Sequence, residues 1–221
     1  MTTQGNLLDL GLRDYADVWS LQRKLIELRA KKAVPDTLIL VEHPHVFTVG
    51  KAVPGEVPTQ IGGVPVYRIE RGGQWTYHGP AQLVGYPILD LDARQRDIHL
   101  FLRNIEETLI RAIAKFGITG GRGEQTGVWV GNKKVASIGA AIRNWISFHG
   151  FALNVNTDLN YFHMITPCGF SASTMTSMKA LLGKEMDFDA VKGEVRKRFE
   201  EVFSLQLNES NPEGLEHATV P

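Results

Sequence analysis

Three stretches of the chain repeat apolar residues at three- and four-residue spacing, which predicts three amphipathic helices. An aspartate, a residue type that caps helix N-termini, precedes each stretch, and these are Asp14, Asp97 and Asp187. The predicted apolar stripes are Val18, Leu21, Leu25 and Leu28 in the first helix, Ile98, Leu102, Ile105, Leu109, Ala112 and Phe116 in the second, and Phe188, Val191, Val195, Phe199 and Val202 in the third. We expect each stripe to face a hydrophobic core.

Apolar or alternating runs between these helices predict β-strands. The predicted strands are residues 7–12, 37–41, 64–69, 83–89, 128–130, 134–141 and 147–156. Two glycine-rich stretches are predicted to be connections: residues 50–63, which we expect to cover the mouth of a pocket, and residues 120–127. The mixture of elements agrees with an α+β domain at 1–207, followed by a mobile polar tail at 208–221, but does not select a topology.

The segment RGGQWTYHGPAQLVGYP at residues 71–87 has the composition of a binding loop between two predicted strands. Its Gly-Gly pair allows positive φ angles or close approach of a ligand to the backbone. The preceding arginine and the following Thr76 and His78 place polar groups beside that bare backbone. A glycine hairpin with incidental polar residues is the alternative, and the Thr-Tyr-His-Gly-Pro continuation favours the binding loop.

The one cysteine of the chain, Cys168, lies in the sequence HMITPCGF between a proline and a glycine. Cysteines without a disulfide are usually small buried hydrophobes, which is the alternative interpretation. The proline stiffens the approach to the thiol, and Gly169 lets neighbouring backbone N–H groups turn toward a substrate. This setting favours a nucleophile that faces a cavity.

Composition and charge argue against several classes of function. Lys plus Arg equals Asp plus Glu, at 24 each, which argues against a protein that binds nucleic acid. No apolar run approaches the ~20 residues that span a bilayer, and the N-terminal sequence is not basic and then apolar as in a signal peptide. A single cysteine forms no internal disulfide. We expect a cytoplasmic protein that binds neither nucleic acid nor membrane.

Two other clusters of polar residues have less specific interpretations. The first predicted helix carries Arg23, Lys24, Arg29, Lys31 and Lys32. These cations form either a solvated face or a docking face for an acidic partner. The sequence His43-Pro44-His45 has no nearby cysteine or regularly spaced carboxylate, so we expect a loop there and no metal site.

Three segments, in this order, resemble a known family. They are RGGQWTYHGPAQLVGYP at 71–87, KVASIGAAIRNWISFHGFALNVN at 134–156 and PCG at 167–169. Together they resemble the octanoyltransferases of the lipoate-protein ligase B family. The resemblance implies an α+β fold with a central mixed β-sheet flanked by helices, similar to the catalytic domains of biotin and lipoate protein ligases. One departure is Ala81, where the family usually has glycine in HGPGQ, and we expect its methyl group to tilt the loop or narrow the pocket.

The activity that this resemblance implies is transfer of an octanoyl group from octanoyl acyl carrier protein, the first step of endogenous protein lipoylation. The implied acceptors are apo lipoyl domains of 2-oxoacid dehydrogenase E2 subunits and the glycine cleavage H protein. By the family's pattern, Cys168 carries the acyl group as a thioester and Lys134 activates it. The implied acyl pocket consists of Arg71, Gly72, Gly73, Gln74, Trp75, Thr76, Tyr77 and His78, then Ser137, Ile138 and Gly139, and then Gly150, Phe151 and Ala152. The resemblance implies a monomer without a cofactor or metal.

Thioester chemistry is consistent with this activity. Attack of a thiol on a thioester is a nearly balanced exchange, and later attack by an amine gives a more stable amide, so ATP is not needed. Proximity of Lys134 to Cys168 is a prediction, and a surface lysine at a strand end is the alternative. We expect Ile138 and Phe151, with Trp75 or Tyr77, to build the acyl tunnel at ~0.8 kcal/mol per buried CH₂. His78 either orients the acyl carbonyl or holds the loop.

Three other functions remain open from the sequence. An ATP-dependent lipoate or biotin ligase of the same fold would need an adenylate site and no nucleophilic cysteine. A catalytically inactive domain that binds lipoyl domains or acyl carrier protein would not need Lys134 and Cys168. A thioesterase would have to admit water to the acylated cysteine.

Overall fold

Two β-sheets and their flanking helices make up the part of the chain that the computed structural model describes, residues 2–123, 125–167, 169–212 and 214. The strands, in chain order, are β1 (Thr3–Leu12), β2 (Thr37–Glu42), β3 (Val46–Val49), β4 (Gln60–Ile61), β5 (Val64–Arg68), β6 (Trp75–His78), β7 (Gln82–Ile88), β8 (Gly127–Val130), β9 (Lys133–Arg143), β10 (Ile146–Asn154) and β11 (Leu205–Glu209). The helices are α1 (Tyr15–Ala30), α2 (Ile98–Ala114), α3 (Met178–Leu182) and α4 (Phe188–Phe203), with short 3₁₀ helices at Leu159–Met164 and Ala172–Thr174.

The larger sheet has the strand order β11-β1-β2-β7-β10-β9-β8. Strand β1 runs parallel to both of its neighbours, and the other neighbouring pairs are antiparallel. The smaller sheet has the order β4-β5-β3-β6, in which β3 is parallel to β5 and antiparallel to β6. The predicted fold class, α+β with a central mixed sheet flanked by helices, is therefore confirmed.

Helices cover both faces of the larger sheet. Helices α2 and α4 pack against one face, and α1 packs against the other. Strand β2 shows how the sequence produces this arrangement, because successive side chains of a strand point to opposite faces. Leu38 and Leu40 belong to the core on the α2–α4 side, whereas Ile39 and Val41 belong to the core on the α1 side. A strand buried on both faces has a continuous apolar sequence, as β2 does.

The three predicted helices and their N-caps are present. The side chains of Asp14, Asp97 and Asp187 accept hydrogen bonds from backbone N–H groups in the first turn of α1, α2 and α4. The predicted stripe of α2 is wrong at Ile98, which is 42% exposed, whereas Phe101 is buried. All residues from 97 to 100 are exposed, so the first turn of α2 extends beyond the core.

The segment at 71–87 is not a single loop between two strands. Trp75–His78 form β6, which pairs antiparallel with β3, a strand that the sequence did not predict. At the other end of the chain, Asn208 and Glu209 belong to β11 and pair with β1, so this strand extends two residues into the predicted tail. Residues 215–221 of that tail lie outside the described residues. No described helix is long and apolar enough to cross a membrane.

Two of the cations on α1 are engaged within the protein. Arg23 lies 3.9 Å from the Trp19 ring centroid and forms an ion pair with Glu70 at 3.0 Å. Arg29, which is mostly buried, forms an ion pair with Asp36 at 2.8 Å. The two ion pairs connect α1 to neighbouring segments, so part of this basic face stabilises the fold.

Candidate active site

A narrow cavity, which we call the inner cavity, lies between β6 of the smaller sheet and strands β7, β9 and β10 of the larger sheet. Its volume is about 50 Å³, so the cavity is a slot rather than an open cleft. Residues from all three segments of the predicted acyl pocket line this cavity. They are Arg71, Gly72, Gly73, Thr76, His78, Ser137, Ile138, Gly139, Gly150, Phe151 and Ala152.

Strand β6 directs two of the remaining predicted residues away from this cavity. Because side chains alternate along a strand, Thr76 and His78 face the inner cavity, whereas Trp75 and Tyr77 face the opposite side. Tyr77 is fully buried, and its hydroxyl group lies 2.7 Å from Nδ1 of His45. Trp75 and Tyr77 therefore pack in the hydrophobic cluster of the smaller sheet instead of lining the tunnel.

Four residues that the sequence analysis did not single out also line the inner cavity: Tyr15, Ile69, Tyr86 and His149. Tyr15 is the first residue of α1, and its ring stacks on His78 at a centroid distance of 6.0 Å. Tyr86 and His149 lie inside the segments that carry the family resemblance, and this position in the sequence could have identified them as site residues. Tyr15 had no such signal, because only tertiary packing brings α1 to the cavity.

The Gly72-Gly73 loop is held in place by its neighbours. Nη2 of Arg71 donates to the carbonyl and hydroxyl oxygens of Thr48 at 2.8 and 3.0 Å, and Nη1 donates to the Gly72 carbonyl oxygen at 3.0 Å. Gly50 packs against the loop so closely that a Cβ there would lie 2.4 Å from the Gly73 carbonyl oxygen. Gly73 itself has a φ of +79°, which favours glycine. The loop is therefore a fixed wall.

A chain of hydrogen bonds connects the inner cavity with the first residues of β9. Nδ1 of His78 donates to the Gln82 side-chain oxygen at 2.8 Å, and the Gln82 amide donates to the Asn154 side-chain oxygen at 2.9 Å. The Asn154 amide donates to the Thr176 carbonyl oxygen at 2.9 Å, and the Thr176 N–H donates to the Lys134 carbonyl oxygen at 3.0 Å. His78 thus has a structural contact that connects the end of β6 with the start of β7.

Burial keeps two histidines near the inner cavity neutral. It lowers the pKa of His43 to about 4 and the pKa of His78 to about 3. Nδ1 of His43 lies 2.7 Å from the Arg13 carbonyl oxygen, which only accepts, so Nδ1 carries the proton. Nε2 of His43 therefore accepts from the Tyr86 hydroxyl group at 2.8 Å. These contacts fix Tyr86 in the cavity wall.

We expect the free energy of unfolding to fall as the pH drops from 6.5 toward 4. Histidines of the unfolded chain bind protons below pH ~6.5, whereas folded His43 and His78 stay neutral down to about 4 and about 3. Because the unfolded state binds more protons in this window, stability is complete above pH 6.5 and falls by up to ~1.4 kcal/mol per pH unit for each histidine. Urea unfolding at pH 7.5 and pH 5.5 measures the loss.

His43→Gln is expected to reduce this difference between the two pH values, because it removes one of the imidazoles whose pKa burial lowers. His163→Gln, at an exposed position, serves as the control and should leave the difference unchanged. Equal free energies of unfolding at the two pH values in the unsubstituted protein would contradict the prediction.

Lys134 is buried, in contrast to a surface lysine at a strand end. Its side chain is 2% exposed, and Nζ lies 5.4 Å from the ring centroid of Trp129 and 6.0 Å from that of Phe170. Contact of an ammonium group with aromatic faces is favourable. The neighbouring Lys133 is exposed, and its Nζ donates to the Ser173 carbonyl oxygen. Strand alternation thus buries one lysine and exposes the other.

Gly127 provides the space that the Lys134 side chain occupies. A Cβ at residue 127 would lie 2.5 Å from Cε of Lys134, and the φ of +145° at Gly127 is rare for other residues. The Gly127 N–H donates to Oε1 of Glu106 at 3.1 Å. Glu106 is 1% exposed, and its other oxygen accepts from Arg103 at 2.8 Å and Arg122 at 3.1 Å. This buried carboxylate anchors the backbone beneath the lysine.

Cys168, the predicted nucleophile, lies outside the described residues. Of its described sequence neighbours, one pairs with β6 and another lies close to the lysine. Pro167 forms a β-bridge with Trp75 of β6, and the Phe170 ring is 6.0 Å from Nζ of Lys134. The segment that follows Cys168 therefore reaches the region where Lys134 is buried.

A wider cavity, which we call the outer cavity, adjoins the inner one. Its volume is about 430 Å³. Its lining includes Lys134, Gln74, Leu102, Gln125, Thr126 and, from the predicted connection at 50–63, Ala52. Four residues line both cavities: Gly72, Gly73, Ile138 and Gly139. The two cavities thus share a wall, and Gln74 lines the outer cavity rather than the predicted acyl pocket.

Ala81, where the family usually has glycine, has a φ of +59°. It is not among the described residues that line either cavity, so its methyl group does not narrow them. Its N–H donates to the Glu42 carboxylate at 2.7 Å, and its carbonyl oxygen accepts from the Asn156 N–H at 3.0 Å and the Thr157 hydroxyl at 3.1 Å. These contacts hold alanine in a backbone conformation that favours glycine.

Ala81→Gly is expected to raise the free energy of unfolding by about 0.5–1 kcal/mol. An L-residue in the left-handed region costs roughly 1–2 kcal/mol, and the greater freedom of glycine in the unfolded chain offsets part of that gain. Urea unfolding measures the difference. Ala93→Gly, at an exposed alanine without a positive φ, is the matched control and should be destabilising. A loss of stability in Ala81→Gly would show that its conformation is not strained.

No group of three or more His, Cys, Asp or Glu side chains in the described part of the chain is arranged to hold a metal ion. The two histidines of the His43-Pro44-His45 sequence contact tyrosines instead. His43 contacts Tyr86, and His45 contacts Tyr77 and Tyr161.

Comparison with known proteins shows which family the sequence of this chain matches. The family model for the lipoyl protein ligase A/B catalytic domain matches residues 14–200. An octanoyltransferase from Rubrobacter xylanophilus is 46% identical over 201 residues, which cover 87% of this chain and 90% of that protein. An octanoyltransferase from Caldanaerobacter subterraneus is 43% identical over 216 residues, which cover 93% of each chain.

Two solved structures share the fold at low sequence identity. A bipartite lipoate protein ligase from Thermoplasma acidophilum, studied with its E2 lipoyl domain, matches with a TM-score of 0.73 and 18% identity, over 96% of this chain and 90% of that one. Biotin protein ligase from Aquifex aeolicus matches with a TM-score of 0.54 and 15% identity, over 98% of this chain and 73% of that one. These two likenesses concern the fold alone.

Proposed function

The chain belongs to the lipoyl protein ligase A/B catalytic domain family and, within it, to the octanoyltransferases, and from that premise we propose which donor, acceptor and intermediate it uses. The donor is octanoyl acyl carrier protein. The acceptor is a lysine of apo lipoyl domains, in 2-oxoacid dehydrogenase E2 subunits and in the glycine cleavage H protein. The acyl group is held between the two partners as a thioester on Cys168, by a monomer in the cytoplasm that needs no cofactor.

In the first half-reaction, the Cys168 thiolate attacks the carbonyl carbon of the donor thioester. A bond forms between that carbon and the Cys168 sulfur, and the bond to the donor sulfur breaks. Lys134 accepts the proton of the Cys168 thiol and returns it to the departing donor thiol. A neighbouring cation also favours the thiolate, the reactive form of a group whose ordinary pKa is ~8.5.

In the second half-reaction, the neutral amine of the acceptor lysine attacks the acyl-enzyme. A carbon–nitrogen bond forms, the bond to the Cys168 sulfur breaks, and Lys134 moves the amine proton to that sulfur. The amide product is more stable than the thioester, which drives transfer without ATP.

The observation that carries the proposal is a buried lysine beside a cavity that shares a wall with a narrow slot. Nζ of Lys134 lies 6.0 Å from the ring centroid of Phe170, two positions after Cys168. The slot is lined by apolar groups such as Ile138 and Phe151 as well as by bare glycine backbone. An acyl chain that enters it would gain ~0.8 kcal/mol for each methylene removed from water.

The alternatives explain this arrangement less well. An ATP-dependent ligase has no need of a nucleophilic cysteine, and a domain that only binds lipoyl domains has no need to bury an ammonium group. Burial of a charge is costly unless other interactions compensate. A thioesterase would need to bring water to an acyl group held between the two sheets.

The test is to mix the protein with octanoyl acyl carrier protein in the absence of ATP and measure intact mass. We expect an acyl adduct on the unsubstituted protein and none on Cys168→Ala, with both proteins giving the same thermal unfolding midpoint. Addition of an apo lipoyl domain should discharge the adduct and place the acyl group on the acceptor lysine.

Three results would count against the proposal. Absence of the adduct would exclude the thioester, and a requirement for ATP would indicate a ligase. Release of free octanoate without an acceptor would indicate a thioesterase.

A further inference from the structure

We propose that the outer cavity binds the prosthetic arm of the acyl donor, a linear and amide-bearing chain that ends in the thioester sulfur. The inference rests on the proposed function, because it concerns the leaving group of that transfer. It assigns a role to Gln125 and Thr126 of the glycine-rich stretch, whose described residues do not line the inner cavity.

The position of the outer cavity follows from the geometry of a thioester. The carbonyl carbon joins an acyl chain on one side to a sulfur and its arm on the other. If the acyl chain fills the inner cavity, the carbonyl group reaches the wall that Gly72, Gly73 and Gly139 form between the two cavities. The arm then continues into the outer cavity. Lys134 lines that cavity, so the proton donor lies on the side of the leaving sulfur.

The outer cavity is the larger of the two, and a carrier arm is larger than an acyl chain. The outer cavity has a volume of about 430 Å³, against about 50 Å³ for the inner one. Sites that bury a drug-sized ligand typically measure ~300–1,000 Å³. A pantetheine arm is a ligand of that size, whereas the four methylenes and amine of an acceptor lysine would fill only a small part of the space.

The lining of the outer cavity matches the chemistry of such an arm. Gln74 and Gln125 carry side-chain amides, and Thr126 carries a hydroxyl group, so all three both donate and accept hydrogen bonds. Leu102 and Ala52 provide apolar surface for methylenes. An arm with amide groups separated by short methylene segments uses both kinds of contact.

The test compares two octanoyl thioesters as acyl donors. S-octanoylpantetheine has the amides of the carrier arm, and S-octanoylmercaptoethanol has none. Intact mass gives the rate of acyl-enzyme formation at low donor concentration. The double variant Gln125→Ala/Thr126→Ala should react about tenfold more slowly with S-octanoylpantetheine, because two hydrogen bonds are lost. Its rate with S-octanoylmercaptoethanol should stay within twofold of the unsubstituted protein.

Gln95→Ala is the matched control, because this exposed glutamine lies outside both cavities. It should leave both rates unchanged. Gln125 and Thr126 are also exposed, so the double variant should keep the thermal unfolding midpoint of the unsubstituted protein.

Several outcomes would overturn the inference. They are an unchanged rate with S-octanoylpantetheine, an equal loss with both thioesters, or a selective loss of transfer from preformed acyl-enzyme to the apo lipoyl domain. The last result would assign the cavity to the acceptor. Failure of the unsubstituted protein to form an acyl-enzyme from any donor would instead overturn the proposed function.

Discussion

Lys134→Met is expected to slow acyl-enzyme formation at pH 7 by about 10³-fold, within the range for loss of a general acid–base group. Methionine keeps an unbranched apolar side chain between Trp129 and Phe170 but has no ammonium group. The variant then lacks the group that takes the thiol proton and protonates the departing sulfur. Quenched-flow mixing with octanoyl acyl carrier protein, followed by intact mass, measures the rate.

The pH dependence of the same reaction distinguishes a chemical role of Lys134 from a structural one. Without the lysine, the rate should follow ionisation of the free thiol and rise about tenfold per pH unit below a pKa of ~8.5. The unsubstituted protein should show a weaker rise over the same interval. A variant damaged only in its packing would be slow at every pH.

Lys133→Met is the matched control, since Lys133 is the exposed neighbour in the same strand. It should keep the rate and pH profile of the unsubstituted protein. A rate within threefold of the unsubstituted protein for Lys134→Met at pH 7 would remove the lysine from the mechanism.

The elements that the sequence predicted correctly are those whose signals are local. Asp14, Asp97 and Asp187 cap their helices because the capping carboxylate and the N–H group that it binds lie within three residues of each other. Residues 38–41 of β2 are all apolar because the strand is covered on both faces. Strands β3 and β6 have four residues each, the lower limit for an alternating pattern, and the sequence analysis did not predict them.

The site was predictable only where a motif marked it. The motifs identified most of the residues that line the inner cavity. They did not show that Trp75 and Tyr77 point away from it, because strand β6 was not predicted. In the sequence, Glu106 cannot be distinguished from the other polar residues of α2. Its role depends on a hydrogen bond to Gly127, a residue on another element, and local sequence contains no trace of that contact.

Gly127→Ala is expected to slow acyl-enzyme formation by about 10²-fold, because it displaces the Lys134 side chain. The added Cβ would lie 2.5 Å from Cε of Lys134 and 2.7 Å from the Ala136 carbonyl oxygen. The side chain can move away, but the carbonyl oxygen belongs to the β8–β9 ladder and moves only with the backbone. A misplaced general acid–base group loses most of its effect. The φ of +145° should also lower stability by about 1–3 kcal/mol.

Gly121→Ala is the control, because a Cβ there meets no atom within 4 Å. It should leave the rate unchanged. The decisive measurement combines Gly127→Ala with Lys134→Met. Residues that act through one another are non-additive, so the glycine substitution should change the rate less than threefold when the ammonium group is already absent. If the two reductions in rate multiply instead, Gly127 affects the reaction in some way other than by positioning the Lys134 side chain.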